Sequence, residues 1–220
     1  MLYTLQQVKD NLRNREGKRV FYLGKADRLT SEARDYLTRE RIEILPGQAA
    51  KKDRYRLLSG GYMEEKPEHM THLNAEFLVE KTHPRIVFRG AVDRLEAELL
   101  PVMHRFPALA GDLGQVLELA RQLIKCDVLE QPVPQMKLGG LDQEQLRRRS
   151  HFPQEYYGLP HFMPQATDRP EILELNRLRS LARHTELQAV AAFPDRPDMI
   201  QALNRMSSFL YIRMLQEKGK

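Results

Sequence analysis

Four long segments in the second half of the chain carry apolar residues at three- and four-residue spacing. They are FRGAVDRLEAELLPVMHRF, LAGDLGQVLELARQLIKCDVLEQ, DRPEILELNRLRSLARHTELQAVAAF and PDMIQALNRMSSFLYIRMLQEKG. This spacing places the apolar side chains on one face of an α-helix. Four such helices predict a mainly α fold, an up-and-down four-helix bundle, and LDQEQLRRR between the second and third predicts a short fifth helix.

A small β-α-β appendage is predicted ahead of the bundle. KRVFYL and RIEIL are short runs of strand formers, and LTSEARDYLTRER between them has helical spacing with Thr30 as N-cap. Residues 46–70 contain Gly-Gly, Pro and many charges without a sustained period, which favours a linker. The predicted domains are therefore an appendage at 1–60, a linker at 61–70 and the bundle at 71–220, with no strand after Thr71.

Composition excludes several classes of protein. The 220 residues are 41% hydrophobic, which suffices for a sizeable core, and the single Cys126 permits neither an internal disulfide nor a cysteine-rich zinc site. No apolar run reaches the roughly 18 residues of a transmembrane helix, and the first residues lack the apolar run of a secretory signal. We therefore expect a cytoplasmic protein with no membrane partner.

Charge argues against a nucleic-acid-binding protein. The net charge of +5 comes from 35 Lys and Arg and 30 Asp and Glu that alternate along the chain, as on solvated helix faces. The one cluster of like charge, LRRRSHF, is either a solvated turn or a phosphate contact. The small positive excess suits an anionic small-molecule substrate.

Familiar catalytic motifs are absent from the sequence. It contains no GxGxxG, no GxxxxGK[ST], no HExxH and no GxSxG. His69 and His72 lie three residues apart and are either surface residues or metal ligands.

Polar side chains form one stripe on each of the last two long helices. The stripes consist of Asn176, Arg179, Arg183 and Glu186, and of Asn204, Ser208 and Tyr211. Two guanidinium groups one turn apart repel each other unless an anion lies between them, and Glu186 neutralises only one. The first stripe is therefore either an anion-binding site or a solvated face with a salt bridge at Arg183.

Three further patterns follow one another along the chain. The first consists of Lys81, Arg85, Gly90, Val92, Asp93 and Leu95. Arg179, Arg183 and Glu186 form an RxxxRxxE pattern, and Asn204, Arg205, Met206 and Ser207 correspond to an NRLS pattern. In this order the three patterns resemble motifs of the ATP:cobalamin adenosyltransferases, most closely of the ethanolamine-utilisation branch and more distantly of the propanediol-utilisation branch. The resemblance covers about residues 71–216.

The resemblance implies transfer of the 5′-deoxyadenosyl group of ATP to the cobalt of a reduced corrinoid, which gives adenosylcobalamin. Cobalt(I) attacks C5′ of the ribose and expels a polyphosphate, so fixed cations must meet the developing negative charge. The implied ATP-binding residues, with Mg²⁺ bridging the phosphates, are Lys81, Arg85, Arg179, Arg183, Glu186 and Asn204. The implied catalytic residues are Arg183, Arg179 and Asp93.

The family also displaces the lower axial ligand of cobalt, often with an aromatic side chain. The aromatic-rich segment HFPQEYYGLPHF is the candidate wall, with Phe152, Tyr156 and Phe162 as corrinoid-binding residues and Tyr157 beside them, although each can equally anchor the loop. Asp93 and Arg179 are expected to form a partly buried ion pair across the bundle. The local alternative is a pair between Arg89 and Asp93 on one helix face.

Two features of the family are missing. Some ethanolamine-branch enzymes bind a transition metal through a cysteine cluster that LLSGGYMEEKPEHM lacks, so we expect no resident metal. The second missing feature is the N-terminal nucleotide loop of the propanediol branch, which MTHLNAEF replaces.

The family further implies a homo-oligomer, a dimer or trimer. The appendage suggests docking to an adenosylcobalamin-dependent ammonia lyase or a bacterial microcompartment. The alternatives are a non-catalytic corrinoid or nucleotide carrier and a nucleic-acid-binding regulator.

Overall fold

The structure is a computed structural model and describes residues 1–15, 17–47 and 55–220. The chain divides into two compact units, Met1–His83 and Pro84–Lys220. Each unit buries its own hydrophobic residues.

The N-terminal unit is built on a mixed β-sheet. Its elements are β1 (Leu2–Tyr3), α1 (Leu5–Asp10), β2 (Arg13–Arg15), β3 (Lys18–Leu23), β4 (Arg28–Leu29), α2 (Ser31–Arg39), β5 (Glu43–Pro46), β6 (Tyr55–Leu57), β7 (Tyr62–Met63), β8 (Met70–His72) and β9 (Phe77–Glu80). Seven strands form one sheet in the order β5-β3-β2-β7-β6-β9-β8, and β1 pairs in parallel with β4.

The predicted β-α-β order is confirmed. Strands β3 and β5 pair in parallel, and α2 lies between them in the chain. Thr30 is the N-cap of α2, and its hydroxyl accepts a hydrogen bond from the Ala33 N–H at 3.3 Å. Ala33 and Leu37 of α2 are buried with Phe21 of β3. The helix therefore covers the apolar side of this strand pair.

The structure corrects the predicted domain boundaries. Strands β6 to β9 belong to the same sheet as β3 and β5, so the predicted linker and the first residues assigned to the bundle are part of the N-terminal unit. The boundary lies between His83 and Pro84, and Thr71 lies in a strand. Because these strands have two to four residues, they are too short to show an alternating pattern. Residues 48–54 of the predicted appendage lie outside the described residues.

The C-terminal unit confirms the predicted helical bundle. Its helices are α3 (Pro84–Arg105), α4 (Pro107–Val128), α5 (Gln143–His151), α6 (Pro153–Tyr157), α7 (Pro170–Ala192) and α8 (Pro197–Lys218). Helix α3 packs between α4 and α7, and α7 packs on α8. Arg121 of α4 pairs with Glu96 of α3, and Arg177 of α7 pairs with Glu98, as antiparallel neighbours would. Both α4 and α7 therefore run antiparallel to α3, so α4 and α7 point in the same direction within the bundle.

Helix starts in this unit are encoded locally. Five helices begin with proline at the first position, where the missing N–H has no helical partner to lose. These prolines are Pro84, Pro107, Pro153, Pro170 and Pro197. Helix α5 begins instead with a capping box at Asp142, whose carboxylate accepts from the Gln145 N–H at 2.8 Å. Across the described ranges, no helix is long and apolar enough to cross a membrane.

Candidate functional site

A cavity of about 570 Å³ lies between α5, α7, α8 and the chain that follows α6. It is lined by Ser150, His151, His161, Phe162, Met163, Pro164, Arg179, Arg183, Ser207, Ser208, Tyr211 and Met214. Guanidinium and hydroxyl groups lie beside aromatic rings in one space. Such a lining suits a ligand that is anionic at one end and flat and apolar at the other.

The cationic side of the cavity is formed by Arg179 and Arg183 of α7. Arg179 is half-buried, and its guanidinium donates to Asn176 Oδ1 at 2.9 Å and 3.3 Å. Burial, and secondarily the charge of Arg183, lowers the pKa of Arg179. Neither guanidinium forms an ion pair with a carboxylate of the described residues. An anion bound here would therefore be the counter-charge that the site lacks.

Two residues of the polar stripe of α8, Ser208 and Tyr211, face the same cavity, whereas Asn204 lies outside its lining. Ser207 lines the cavity with them, and its hydroxyl donates to the Asn204 carbonyl at 2.9 Å. Because α7 and α8 run antiparallel, their two polar stripes meet along the seam between them. The two arginines of the α7 stripe thus face a cavity, in which Arg179 is half-buried and Arg183 remains exposed.

Glu186 and Asn204 form a pair one helical turn beyond Arg183 and Ser208. The Asn204 amide donates to Glu186 Oε1 at 2.9 Å and accepts from Arg205 Nη1 at 2.5 Å. These two bonds fix the amide with its nitrogen toward Glu186. Glu186 is therefore engaged with α8, and the predicted salt bridge to Arg183 is not formed.

The aromatic side of the cavity contains only one of the three predicted corrinoid-binding residues. Phe162 lines the cavity, with its ring stacked on Tyr211 at 6.2 Å between centroids. Phe152 is 56% exposed at the junction of α5 and α6, outside the cavity lining. Tyr156 also lies outside that lining, because its ring packs under the guanidinium groups of Arg148 and Arg149.

Tyr157, the other aromatic residue considered, packs against the bundle core and does not line the cavity. Burial raises the pKa of its phenol. The cluster of three arginines lies in α5, where Arg148 pairs with Glu155 at 3.1 Å. Neither feature reaches the cavity lining.

Arg85, predicted to bind ATP, is bound to a buried carboxylate. The Asp127 side chain is fully buried and accepts from Arg85 Nε and Arg89 Nε, each at 2.6 Å. The Arg85 guanidinium also lies 6.0 Å from the ring centroid of Phe193. At the helical rise of about 1.5 Å per residue, Phe193 is about 15 Å further along the α7 axis than Arg183. The structure therefore does not bring Arg85 together with Arg179 and Arg183.

The predicted ion pair between Asp93 and Arg179 is not formed, and this expectation was wrong. Asp93 is exposed on α3 and has no ion pair within the described part of the chain, while Arg179 projects toward α8. The local alternative also fails, because Arg89 pairs with Asp127.

Lys81, also predicted to bind ATP, is an exposed residue after β9 in the N-terminal unit. Its backbone N–H donates to the His69 carbonyl at 2.9 Å.

Candidate metal ligands are dispersed. The residues that the structure describes contain no group of three or more His, Cys, Asp and Glu side chains able to hold a metal ion. The ring of His72 packs on Tyr55 at 5.7 Å. Cys126 is buried, with its sulfur 3.5 Å from the Pro132 carbonyl oxygen.

Several cavity residues were not identified from the sequence. They are Ser150, His151, His161, Met163, Pro164 and Met214. His151 and His161 lie at the two ends of the aromatic-rich segment, so composition indicated the region without ranking its residues. An irregular segment has no periodicity that would show which side chains point inward.

The chain is similar to known corrinoid enzymes. The profile of the cobalamin adenosyltransferase family matches residues 61–217. Over 170 residues the chain is 32% identical to the corrinoid adenosyltransferase EutT of Salmonella typhimurium strain LT2, covering 71% of this chain and 61% of that protein. Over 165 residues it is 34% identical to EutT of Escherichia coli K12, covering 69% and 59%. The chain thus spans about three-fifths of the length of these relatives.

Solved structures share the fold. A variant PduO-type ATP:corrinoid adenosyltransferase from Lactobacillus reuteri, complexed with cobalamin and ATP, superposes with a TM-score of 0.55 at 13% identity. The match covers 69% of this chain and 90% of that one. A second variant of that protein gives a TM-score of 0.54 at 14% identity.

Proposed function

The chain belongs to the cobalamin adenosyltransferase family, and from this premise we propose that it transfers the 5′-deoxyadenosyl group of ATP to the cobalt of a reduced corrinoid, forming adenosylcobalamin. The observation that carries the proposal is the cavity in which Arg179 and Arg183, without carboxylate partners among the described residues, face the rings of Phe162 and Tyr211. The guanidinium groups suit a polyphosphate, and the rings suit a flat macrocycle.

The two arginines act on the charge that develops in the reaction. Cobalt(I) donates an electron pair to C5′, the bond from C5′ to oxygen breaks, and its electron pair leaves with the polyphosphate. Cobalt becomes formally cobalt(III). Arg179, bonded to Asn176, and Arg183, one turn further along α7, both line the cavity and would stabilise this charge. Ser208 lines the cavity and offers its hydroxyl to ribose or phosphate. Asn204 lies outside the lining with its amide bonded to Glu186 and Arg205, so its proposed contact with ribose or phosphate rests on the motif.

Magnesium enters this scheme with the nucleotide. Mg²⁺ in nucleotide sites is typically held by phosphate oxygens and one or two carboxylates. Glu186 is the carboxylate beside Arg183, and it is held by Asn204. Glu186 lies outside the cavity lining, so its proposed role as the protein ligand of a phosphate-bound Mg²⁺ rests on the motif and on its carboxylate oxygens. The roles proposed for Lys81, Arg85 and Asp93 rest on the motif, and alanine variants test each of them.

One anaerobic assay tests the proposed function. The chain is mixed with ATP, Mg²⁺, a cobalamin and a strong reductant, and light-sensitive adenosylcobalamin is followed by absorbance. We expect product in the dark and its loss on illumination. A carrier would shift the corrinoid spectrum without forming product, and a nucleic-acid-binding regulator would do neither. Both outcomes would overturn the proposal.

We propose further that the protein is a homo-oligomer and that its N-terminal unit docks to a bacterial microcompartment or an adenosylcobalamin-dependent ammonia lyase. Exposed apolar side chains on α3 and α7, including Val87, Leu187 and Val190, support self-association. Sedimentation equilibrium tests the oligomer, and Leu187→Glu should weaken it. Co-purification of the full chain with such a lyase or shell protein tests the docking, and its absence would contradict it.

A further inference from the structure

His161 lies in the cavity with both of its ring nitrogens engaged. Nδ1 lies 3.0 Å from the hydroxyl oxygen of Tyr211, and Nε2 lies 3.2 Å from the carbonyl oxygen of His151. The imidazole also stacks on the Tyr211 ring, at 5.8 Å between centroids and 14° between planes. One side chain therefore joins the segment after α6 to both α5 and α8.

These partners fix the tautomer of the neutral ring. A carbonyl oxygen can only accept, so Nε2 carries the hydrogen and donates to His151. Nδ1 then carries the lone pair and accepts from the Tyr211 hydroxyl. The Nδ1 lone pair is the one that a metal would need. Engaged with Tyr211, it is not free to coordinate the cobalt of a corrinoid in the cavity.

The hydrogen bond also fixes the aromatic wall. His161 holds Tyr211 through a hydrogen bond to the hydroxyl and by stacking on the ring. Phe162, which follows His161 in the chain, also stacks on the Tyr211 ring, at 26° between planes. If Tyr211 lost its partner, both rings would gain rotational freedom. A corrinoid that covers this surface would exclude water and strengthen the bond, because a hydrogen bond gains strength at low dielectric.

Building on the proposed function, we propose that His161 is a positioning residue that holds Tyr211 and Phe162 as a fixed wall against the lower face of the corrinoid. A fixed wall occupies the space that the corrinoid's own lower base would need. Cobalamin carries such a base, and cobinamide does not. His161 should therefore matter for cobalamin and much less for cobinamide.

The experiment compares the two corrinoids in the anaerobic assay, using the full chain with ATP and Mg²⁺. The variants are His161→Leu, which removes both hydrogen bonds, and His161→Gln, whose amide keeps one donor and one acceptor. Tyr211→Phe removes only the hydroxyl and keeps the ring. His104→Leu, at an exposed histidine of α3 outside the cavity lining, is the matched control.

We expect His161→Leu and Tyr211→Phe to lower kcat/KM for cobalamin by about tenfold, the upper end of what the net loss of one hydrogen bond costs. The KM for ATP and the turnover of cobinamide should stay within about twofold because neither depends on this bond, and His161→Gln should recover most of the cobalamin activity. A second readout needs no turnover. Bound cob(II)alamin whose lower base has left the cobalt absorbs differently from cob(II)alamin that keeps it. In the presence of ATP, His161→Leu should contain less of the form without a coordinated base than the wild-type chain.

Equal losses with cobalamin and cobinamide, or no loss with either, would overturn the role of His161 while leaving the proposed function intact. If His161→Leu does not fold, the same comparison of cobalamin and cobinamide in Tyr211→Phe tests the role of the hydrogen bond. A wild-type chain that converts neither corrinoid would overturn the proposed function and this inference with it.

Discussion

The arginines of the bundle are of two kinds, and the difference predicts what each substitution does. Arg85 and Arg89 share the buried carboxylate of Asp127. Arg179 and Arg183 face a cavity and have no carboxylate partner among the described residues. A buried ion pair stabilises the fold only while both partners remain, whereas an unpaired cation contributes to binding an anion.

Arg183→Ala should lower turnover far more than it lowers stability. Arg183 is exposed, so its removal leaves no cavity and strands no charge. Removing one donor that meets developing negative charge typically costs about 3 to 4 kcal/mol in the transition state. Steady-state kinetics and thermal unfolding measure the two effects, with Arg34→Ala on α2 as an exposed arginine outside the site. If Arg183→Ala has normal turnover but a lower melting temperature, the polar stripe of α7 contributes to stability and not to catalysis.

Arg85→Ala should show the opposite behaviour. It leaves Asp127 buried with Arg89 as its remaining guanidinium partner at hydrogen-bonding distance from the carboxylate. Loss of one partner of a buried pair typically costs several kcal/mol, and we expect roughly 2 to 4 kcal/mol here. Urea unfolding measures this loss. If the KM for ATP rises instead while stability is unchanged, Arg85 binds nucleotide as the motif implied.

At the scale of elements, the start of α8 is tied to the segment that follows α4. The Asp198 carboxylate accepts from Arg196 at 2.8 Å and 2.9 Å and from the Val133 N–H at 2.9 Å. It also lies in the first turn of α8, where the helix dipole favours a negative charge. Hydrogen bonding from Arg196, and then from the Val133 backbone, lowers the pKa of Asp198 to about 2.

This lowered pKa predicts a pH dependence of stability. In the unfolded chain an aspartate has a pKa of about 3.9, so the folded state binds its proton less tightly. The contribution of Asp198 is fully present above about pH 4 and is lost as the pH falls toward 2. Since the carboxylate is 30% exposed, solvent screening reduces the contribution to about 1 to 2 kcal/mol.

Asp198→Asn should therefore unfold more easily than the wild-type chain at pH 7, and the difference should shrink below pH 4. Urea titrations at a series of pH values measure it. Asp195→Asn, at an exposed residue between α7 and α8, is the control. A difference that stays constant down to pH 2 would show that the carboxylate charge is not what stabilises this end of the helix.

At the scale of the molecule, the acidic and sulfur-bearing residues are spread over two units with separate cores. Within the described ranges they form no group suited to a metal ion. The one cysteine sulfur is buried and lies near a backbone oxygen. A thiol in this position would need local unfolding to reach a metal.

Activity should therefore depend on Mg²⁺ supplied with ATP and not on resident zinc or iron. Elemental analysis of active, chelator-treated protein should find neither metal at stoichiometric level, and Mg²⁺ should restore turnover. Cys126→Ala should stay active, with a loss of stability of about 1 kcal/mol from the small cavity. Stoichiometric zinc or iron in the active protein, or an inactive Cys126→Ala that folds normally, would contradict this prediction.

Features encoded over a few neighbouring residues could be predicted from the sequence alone. The four long helices, the short α5, the β-α-β order and the Thr30 cap each depend on residues within one or two turns of each other. The stripe of Arg179 and Arg183 was also predicted, because helical spacing alone determines which residues share a face. The family followed from motifs of the same local kind.

Only the tertiary structure decided which of these features meet. Asp127 is about forty residues from Arg85, so no local sequence pattern indicated that the Asp127 carboxylate would pair with the Arg85 guanidinium. The same holds for Phe162, which reaches the cavity while Phe152 remains exposed, and for His161, whose partner lies on α8. Strands β6 to β9 are stabilised by pairing with one another and with the rest of the sheet. Such contacts depend on how whole elements pack, because burial and hydrogen-bond partners at these positions come from distant parts of the chain.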